Sequence, residues 1–209
     1  LDLRLPDIGG EDVAAEIRRL LAGRGIVAVN LMASPGAGKT SLILSTIEAL
    51  RGRMRVAVIE GDTASRVDAD KVAAAGVPVV QINTGGGCHL DARQVAGALD
   101  DLPMDQLDLL FIENVGNLVC PVGFALGEHT RVGISSVPEG DDKPLKYPTI
   151  FANIDALVLN KIDLLSYLSF DMDRFSALVR GLNPGIEIFA VSCVTGEGMD
   201  AWIEWLRSL

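Results

Sequence analysis

"GIVAVNLMASPGAGKTSLILSTIEAL", residues 25–50, is the stretch on which the fold turns. "GIVAVNLMA" (25–33) is a continuous apolar run and reads as a buried strand; "TSLILSTIEAL" reads as a helix, and "SPGAGK" is the loop between them. "ASPGAGKT" (33–40) matches a phosphate-binding loop from Gly38 onward, with Ala33 where the usual first glycine would be. Backbone amides around Gly36, Ala37 and Gly38 can point inward at a polyphosphate, and the helix N-terminus adds positive potential. Lys39 would bridge the β and γ phosphates and the Thr40 hydroxyl would bind Mg²⁺, so Pro35 to Ser41 is the expected phosphate-contacting segment. The competing reading is an ordinary strand–helix turn with a chance Lys-Thr. The strand before it and the helix after it disfavour that.

Outward from this unit the alternation continues. Apolar strands are predicted at 55–60, 77–82, 107–113, 130–136, 155–160 and 186–192. Helical patterns at 66–75, 90–100, 171–181 and 199–208 fall between most of them. Ahead of the first strand, residues 11–22 put Val13, Ile17, Leu20 and Leu21 on one helical face. Continuous apolar strands alternating with helices are the pattern of a parallel sheet covered on both faces. The expectation is one α/β domain over 1–209: a single doubly wound, mostly parallel sheet with helices on both faces, led in by residues 1–24. Its ligands should sit beyond the carboxyl ends of the strands.

Composition narrows the partners. Hydrophobic residues make up 49% of the chain but come in short runs, none near the roughly 20 apolar residues of a membrane span. With no signal-peptide pattern at its start, the chain is expected in the cytoplasm. A net charge of −10 would be repelled by nucleic acid and by anionic membranes, so neither is expected as a partner. Three cysteines, Cys88, Cys120 and Cys193, are too few and odd in number for a disulfide framework, which favours reduced thiols or metal ligands. The first residue is Leu1 rather than Met, which leaves room for a trimmed preceding segment.

"LVLNKIDLL" carries Asn160, Lys161 and Asp163 at a strand end, the pattern of a guanine reader. A carboxylate at Asp163 can accept from the guanine N1–H and exocyclic amine. Adenine presents an acceptor at N1 and would leave that carboxylate buried and unpaired, a heavy penalty. Asn160 would reach the far edge of the base and the stem of Lys161 would cover its face. "SCVTGEG" (192–198) follows the last strand and looks like a second base loop, with Ser192, Cys193 and Val194 offering amides near the guanine O6. GTP and GDP are therefore the expected nucleotides.

Two acidic strand ends could hold the surroundings of Mg²⁺: Asp62 and Asp68 in "VIEGDTASRVDADK", and Glu113, followed by Gly116, in "LLFIENVGN". Glu113 is the favoured partner of the Thr40-bound ion, and the Gly116 amide could turn to the γ-phosphate. Asp62 and Asp68 read equally as loop-solvating or helix-capping carboxylates. Contacts of this kind exist only with GTP bound, so both loops are candidate switches. No glutamine stands beside Gly116 to orient water, which predicts slow unaided hydrolysis.

"NTGGGCHLDA" (83–92) is ambiguous by itself: three glycines suggest a phosphate cradle, whereas Cys88-His89 suggests a metal or a nucleophile. The ensemble of "NLMASPGAGKTSLI", "EGDTASRVDADKV", "QINTGGGCHLDA", "FIENVGNLVCPVGFALGE", "SVPEGDDKPLKYP" and "NKIDLL", in this order, resembles the hydrogenase maturation GTPase family HypB. Members of that family serve nickel insertion into nickel–iron hydrogenase. The resemblance runs from about residue 11 to the end and implies a P-loop GTPase of the SIMIBI type. It further implies a homodimer tightened by GTP, with Leu164 and Leu168 at the contact, and other maturation proteins and the hydrogenase large-subunit precursor as partners. Carried over by position, its Ni²⁺ or Zn²⁺ ligands fall on Cys88, His89 and Cys120.

Ligand chemistry agrees with that assignment. Thiolate and imidazole suit Ni²⁺ or Zn²⁺ and not Mg²⁺ or Ca²⁺. Adjacent ligands cannot easily chelate one ion, and Cys120, seven residues past Glu113 on the second switch, could supply the third donor. Cys193 reads as a small core residue and His129 as a surface histidine. Two rival functions stand beside the leading one: a passive metal-binding module with incidental GTPase, and a urease accessory-type nickel GTPase. The latter typically carries Cys-Pro-His where this chain has Cys120-Pro121-Val122.

Overall fold

In the computed structural model, which describes residues 9–209, the apolar runs form one seven-stranded sheet. The start of the expected lead-in, residues 1–8, lies outside the described residues. The strands are β1 (Val27–Ala33), β2 (Val56–Asp62), β3 (Val79–Asn83), β4 (Leu109–Glu113), β5 (Thr130–Ser136), β6 (Ala156–Asn160) and β7 (Glu187–Ala190). Their order is β3-β2-β4-β1-β5-β6-β7, and every pairing is parallel. The inner strands are buried along nearly their whole length, because helices cover both faces and leave no side for polar alternation.

The helices are α1 (Gly10–Gly23), α2 (Lys39–Leu50), α3 (Val67–Ala74), α4 (Ala92–Leu99), α5 (Lys143–Lys146), α6 (Pro148–Ala152), α7 (Met172–Leu182) and α8 (Met199–Ser208). On one face α2, α3 and α8 pack over Val29, Leu31 and Phe111. Fully buried Trp202 donates from Nε1 to Thr46 Oγ1 at 2.9 Å, and Thr46 donates to Leu42 O at 2.7 Å, so the indole's polar edge is satisfied inside the core.

The opposite face has two clusters, one under α1 and α4 and one under α6 and α7. The connection from β4 to β5, residues 114–129, bridges them: Leu126 enters the first and Leu118 the second. Three polar side chains are buried here: Asn114 and Glu128 from the two ends of this connection, and Asn30 from β1.

Three local readings differ from the sequence expectation. The helix expected at 90–100 starts at Ala92, because Asp91 caps it in a reciprocal capping box with Gln94. α5 and α6, four and five residues long with proline in the first turn, are too short to show a helical period. His129 is half-buried rather than a surface group. Its Nδ1 accepts from Ala28 N at 3.1 Å, its N donates to Ala28 O at 2.8 Å, and its carbonyl accepts from Arg18 Nη2 at 3.1 Å.

β1 lies between β4 and β5. The chain leaves β1 toward β2 on one side and leaves β4 toward β5 on the other. That reversal opens a crevice beyond the carboxyl ends of β1, β2 and β4.

Candidate nucleotide and metal sites

The loop after β1 turns through two left-handed glycines, Gly36 at φ 78° and Gly38 at φ 103°. Gly38 also has no room for a Cβ, which would run into the Asn160 amide. Asn160 Nδ2 donates to Ala37 O at 3.1 Å, and Lys161 Nζ donates to Gly36 O at 2.7 Å. The strand end expected to read a base thus already holds two carbonyls of the phosphate loop, while the Ala37 amide closes the loop on Ser34 O at 3.4 Å. Beside them, Asp163 Oδ1 accepts from Ser192 Oγ at 2.6 Å, and Ser192 Oγ accepts from Thr195 N at 3.1 Å. Cys193 N approaches Asn160 Oδ1 at 3.5 Å, and Cys193 is partly buried against the core, while Val194 is exposed.

A cavity of about 520 Å³ opens beyond β1, β2 and β4. Phosphate-loop residues including Pro35, Lys39, Thr40 and Ser41 line it together with Asp62, Asp68, Glu113 and Gly116. Lys161 also reaches it, whereas Asp163 and Ser192 lie outside its wall. Gly116 abuts the phosphate loop so closely that a Cβ there would lie 3.0 Å from Pro35 Cγ.

Glu113 is buried; its Oε1 accepts from Thr40 Oγ1 at 2.9 Å and its Oε2 has no partner. Burial, opposed by Lys39 and by the Thr40 hydrogen bond, pushes its carboxyl up to about 7. Its register neighbour Glu60 is equally buried with an orphaned Oε2, and burial together with Glu113 raises it to about 8. Two desolvated carboxyls on neighbouring strands, of which Glu113 alone meets the Thr40 hydroxyl, are costly unless protonated or paired. This all-oxygen donor set fits a hard dication such as Mg²⁺.

Asp62 is turned toward its own loop: Oδ1 accepts from Ala64 N at 2.9 Å and Ser65 N at 3.0 Å, and those amides lower its pKa. Asp68 pairs with Lys71 Nζ at 2.7 Å on α3. Both aspartates line the cavity, yet each is engaged by protein groups.

The ligating atoms of Cys88, His89 and Cys120 lie within 4.8 Å of one another. Gly85 and Gly86, at φ 60° and 96°, turn the chain sharply after β3, and Gly87 N closes the turn on Thr84 O at 3.1 Å. The glycines therefore shape a turn that presents Cys88 and His89. Fully buried Leu90 anchors it, wedged where a Cβ on Gly61 would lie 2.7 Å from its Cγ. Cys120 opens a 3₁₀ turn capped by Asn117 Oδ1, which accepts from Val119 N at 2.7 Å and Cys120 N at 3.3 Å.

Cys88 Sγ lies 3.5 Å from His89 Nδ1, and its neighbouring Cys120 thiol, with some burial, raises the Cys88 pKa. The His89 ring stacks on Phe124 with centroids 3.8 Å apart. Two thiols and an imidazole form a soft donor set, one donor short of a closed tetrahedral site.

Sequence reasoning passed over Glu60, Lys71, Asn114, Asn117 and Phe124. Glu60 and Asn30 did carry a signal, as polar residues inside otherwise apolar strands. A second cleft, about 600 Å³ and lined by Arg18, His129, Arg131 and Asp155, opens at the opposite ends of the strands, away from these groups.

Residues 27–190 match the family model described as "CobW/HypB/UreG, nucleotide-binding domain". Over 196 residues the chain is 50% identical to hydrogenase maturation factor HypB of Escherichia coli (strain K12), covering 94% of this chain and 68% of that relative. The crystal structure of hydrogenase maturation factor HypB from Archaeoglobus fulgidus is similar at TM-score 0.89 and 40% identity, covering 95% of this chain and 97% of that one. That of HypB from Helicobacter pylori in complex with nickel is similar at TM-score 0.91 and 35% identity, covering 95% and 94%.

Proposed function

Since the chain belongs to the HypB branch of the CobW/HypB/UreG nucleotide-binding family, we propose that it is a Mg²⁺-dependent GTPase that hands nickel to a maturing nickel–iron hydrogenase. The observation that carries this reading is a single sheet edge that serves two chemistries. The segment from Glu113 to Cys120 begins in hydrogen-bond contact with Thr40 and ends among the Cys/His donors.

In this reading Lys39 and the amides of Gly36 to Gly38 hold the phosphates, and Asp163 with Asn160 selects guanine. Thr40 and the Glu113 carboxylate would hold Mg²⁺, which would supply charge neutralisation for the transferred phosphoryl group. Glu113 must be ionised for that role, and its elevated pKa makes it sensitive to what approaches it. No glutamine stands beside Gly116 to orient water, so unaided turnover should be slow.

Nickel is cargo, taken by Cys88, His89 and Cys120, with Zn²⁺ as competitor. A homodimer tightened by GTP, through Leu164 and Leu168, would supply the missing donors from a second copy. The acceptor is the hydrogenase large-subunit precursor, reached with other maturation proteins in the cytoplasm, with no part for nucleic acid or membrane. Among the described residues no helix is long and apolar enough to cross a membrane.

The test is GTP hydrolysis with and without added Ni²⁺ or Zn²⁺. Metal should change the rate severalfold in the wild-type protein, and Cys120→Ala should abolish the change. An equal metal response in Cys120→Ala would sink the coupling. The convergence of three donors on one point is also what one rival, a passive metal-binding module, would need. Hydrogenase maturation supported undiminished by Lys39→Ala would establish that rival.

A further inference from the structure

Glu113 and its successor face opposite sides of the sheet. Leu109 and Phe111 of β4 pack under α2, and Glu113 continues that side, its Oε1 bonded to Thr40 Oγ1 at 2.9 Å. Asn114 still bonds Leu31 O through its backbone N at 3.0 Å, so the ladder keeps it extended and turns its side chain to the other face. There its Oδ1 accepts from Leu90 N at 3.1 Å and Val115 N at 3.0 Å, and its Nδ2 donates to Asn30 Oδ1 at 3.3 Å.

Asn30 in turn donates to Glu128 Oε1 at 3.4 Å. Glu128 accepts from Leu126 N at 2.7 Å and Arg131 Nε at 2.6 Å. One buried chain of amides and a carboxylate therefore ties the turn carrying Cys88 and His89 to both ends of the connection carrying Cys120.

We infer that Asn114 is the positioning residue that carries nucleotide state to the metal donors, on the basis of the coupled GTPase and metal sites proposed above. Gly116, two residues on, rests against Pro35 of the phosphate loop. Any ligand that changes the seat of Gly116 or Glu113 must move Asn114. Asn114 is 1% exposed and Leu90 0%, so a displaced amide finds no water to replace the Leu90 bond. The turn has two discrete choices, held or released, which is the bistable element that coupling between sites requires. Released, Leu90 no longer fixes His89 against Cys120, and the donors part.

The experiment is Ni²⁺ titration of the full chain in its GDP-bound and GTPγS-bound forms. In the wild type the two affinities should differ by about tenfold, within the usual range of coupling between sites. In Asn114→Ala, checked for folding by circular dichroism, they should agree within about twofold. Asn114→Ala with the full wild-type ratio overturns the role of Asn114 alone, whereas a wild type with no difference overturns the coupled-site reading as well. If Asn114→Ala does not fold, hydrogen exchange of the Leu90 amide in the wild type decides. A rate that differs between GDP and GTPγS supports the inference, and equal rates overturn it.

Discussion

Lys161 holds φ at 64°, the one non-glycine residue among those described with a positive φ. Such a conformation costs on the order of 1 kcal/mol or more and persists only where surroundings over-determine it. Here the Lys161 ammonium on Gly36 O and the Lys161 N–H on Asn160 Oδ1, at 2.7 Å each, hold it in place. Two residues on, the Asp163 carboxylate accepts from Ser192 Oγ at 2.6 Å. Asp163→Asn exchanges an acceptor pair for a mixed donor and acceptor. GTP affinity should fall about 10–100-fold, the cost of an unmatched buried hydrogen bond. Xanthosine triphosphate, which carries a carbonyl where guanine has its amine, should gain on GTP in competition titrations. Unchanged discrimination would remove Asp163 from base reading.

At the scale of elements, His129 joins α1 to the start of β1. Its neutral Nδ1 accepts the Ala28 N–H, and burial, with Arg18 nearby and partly offset by Glu128, holds its pKa below the ordinary 6.5. The folded state therefore binds this proton less readily than the unfolded chain. The contribution is fully present above about 6.5 and is lost as pH falls through the lowered value. His129→Asn keeps an acceptor in place without a titrating ring. Between pH 7.5 and 5 its urea midpoint should drop less than that of the wild type; parallel drops would refute the assignment. The histidine's role was not legible in sequence, because only the β1–β5 register brings it against Ala28. The strands were legible, since burial on both faces leaves each an unbroken apolar run. α5 and α6 were not, being shorter than two turns. The phosphate loop announced itself through glycine spacing. Asn114 did not, because its meaning lies in long-range hydrogen bonds that leave no periodicity.

For the whole molecule, the remaining apolar exposure matters most. Tyr167 and Leu168 are 81% and 42% exposed, next to Leu164, which is partly buried against the α6–α7 cluster. Leu168→Ala should leave monomer stability within about 0.5 kcal/mol of wild type, as surface substitutions usually do. By sedimentation in GTPγS it should weaken or abolish the dimer proposed above, and a dimer of wild-type affinity would remove this face from the contact. The placement of Glu113 and Asn114 on opposite faces constrains the chain in a different currency, that of length. Strand side chains alternate with period two, so one residue inserted or deleted within β4 would exchange the pair's directions. The amide would then face Thr40 and the carboxylate would enter the side of Leu90 and Asn30, and no single substitution could restore both. An insertion of two residues would preserve parity and shift only depth. This strand end is therefore held to a phase as well as to a pair of side chains.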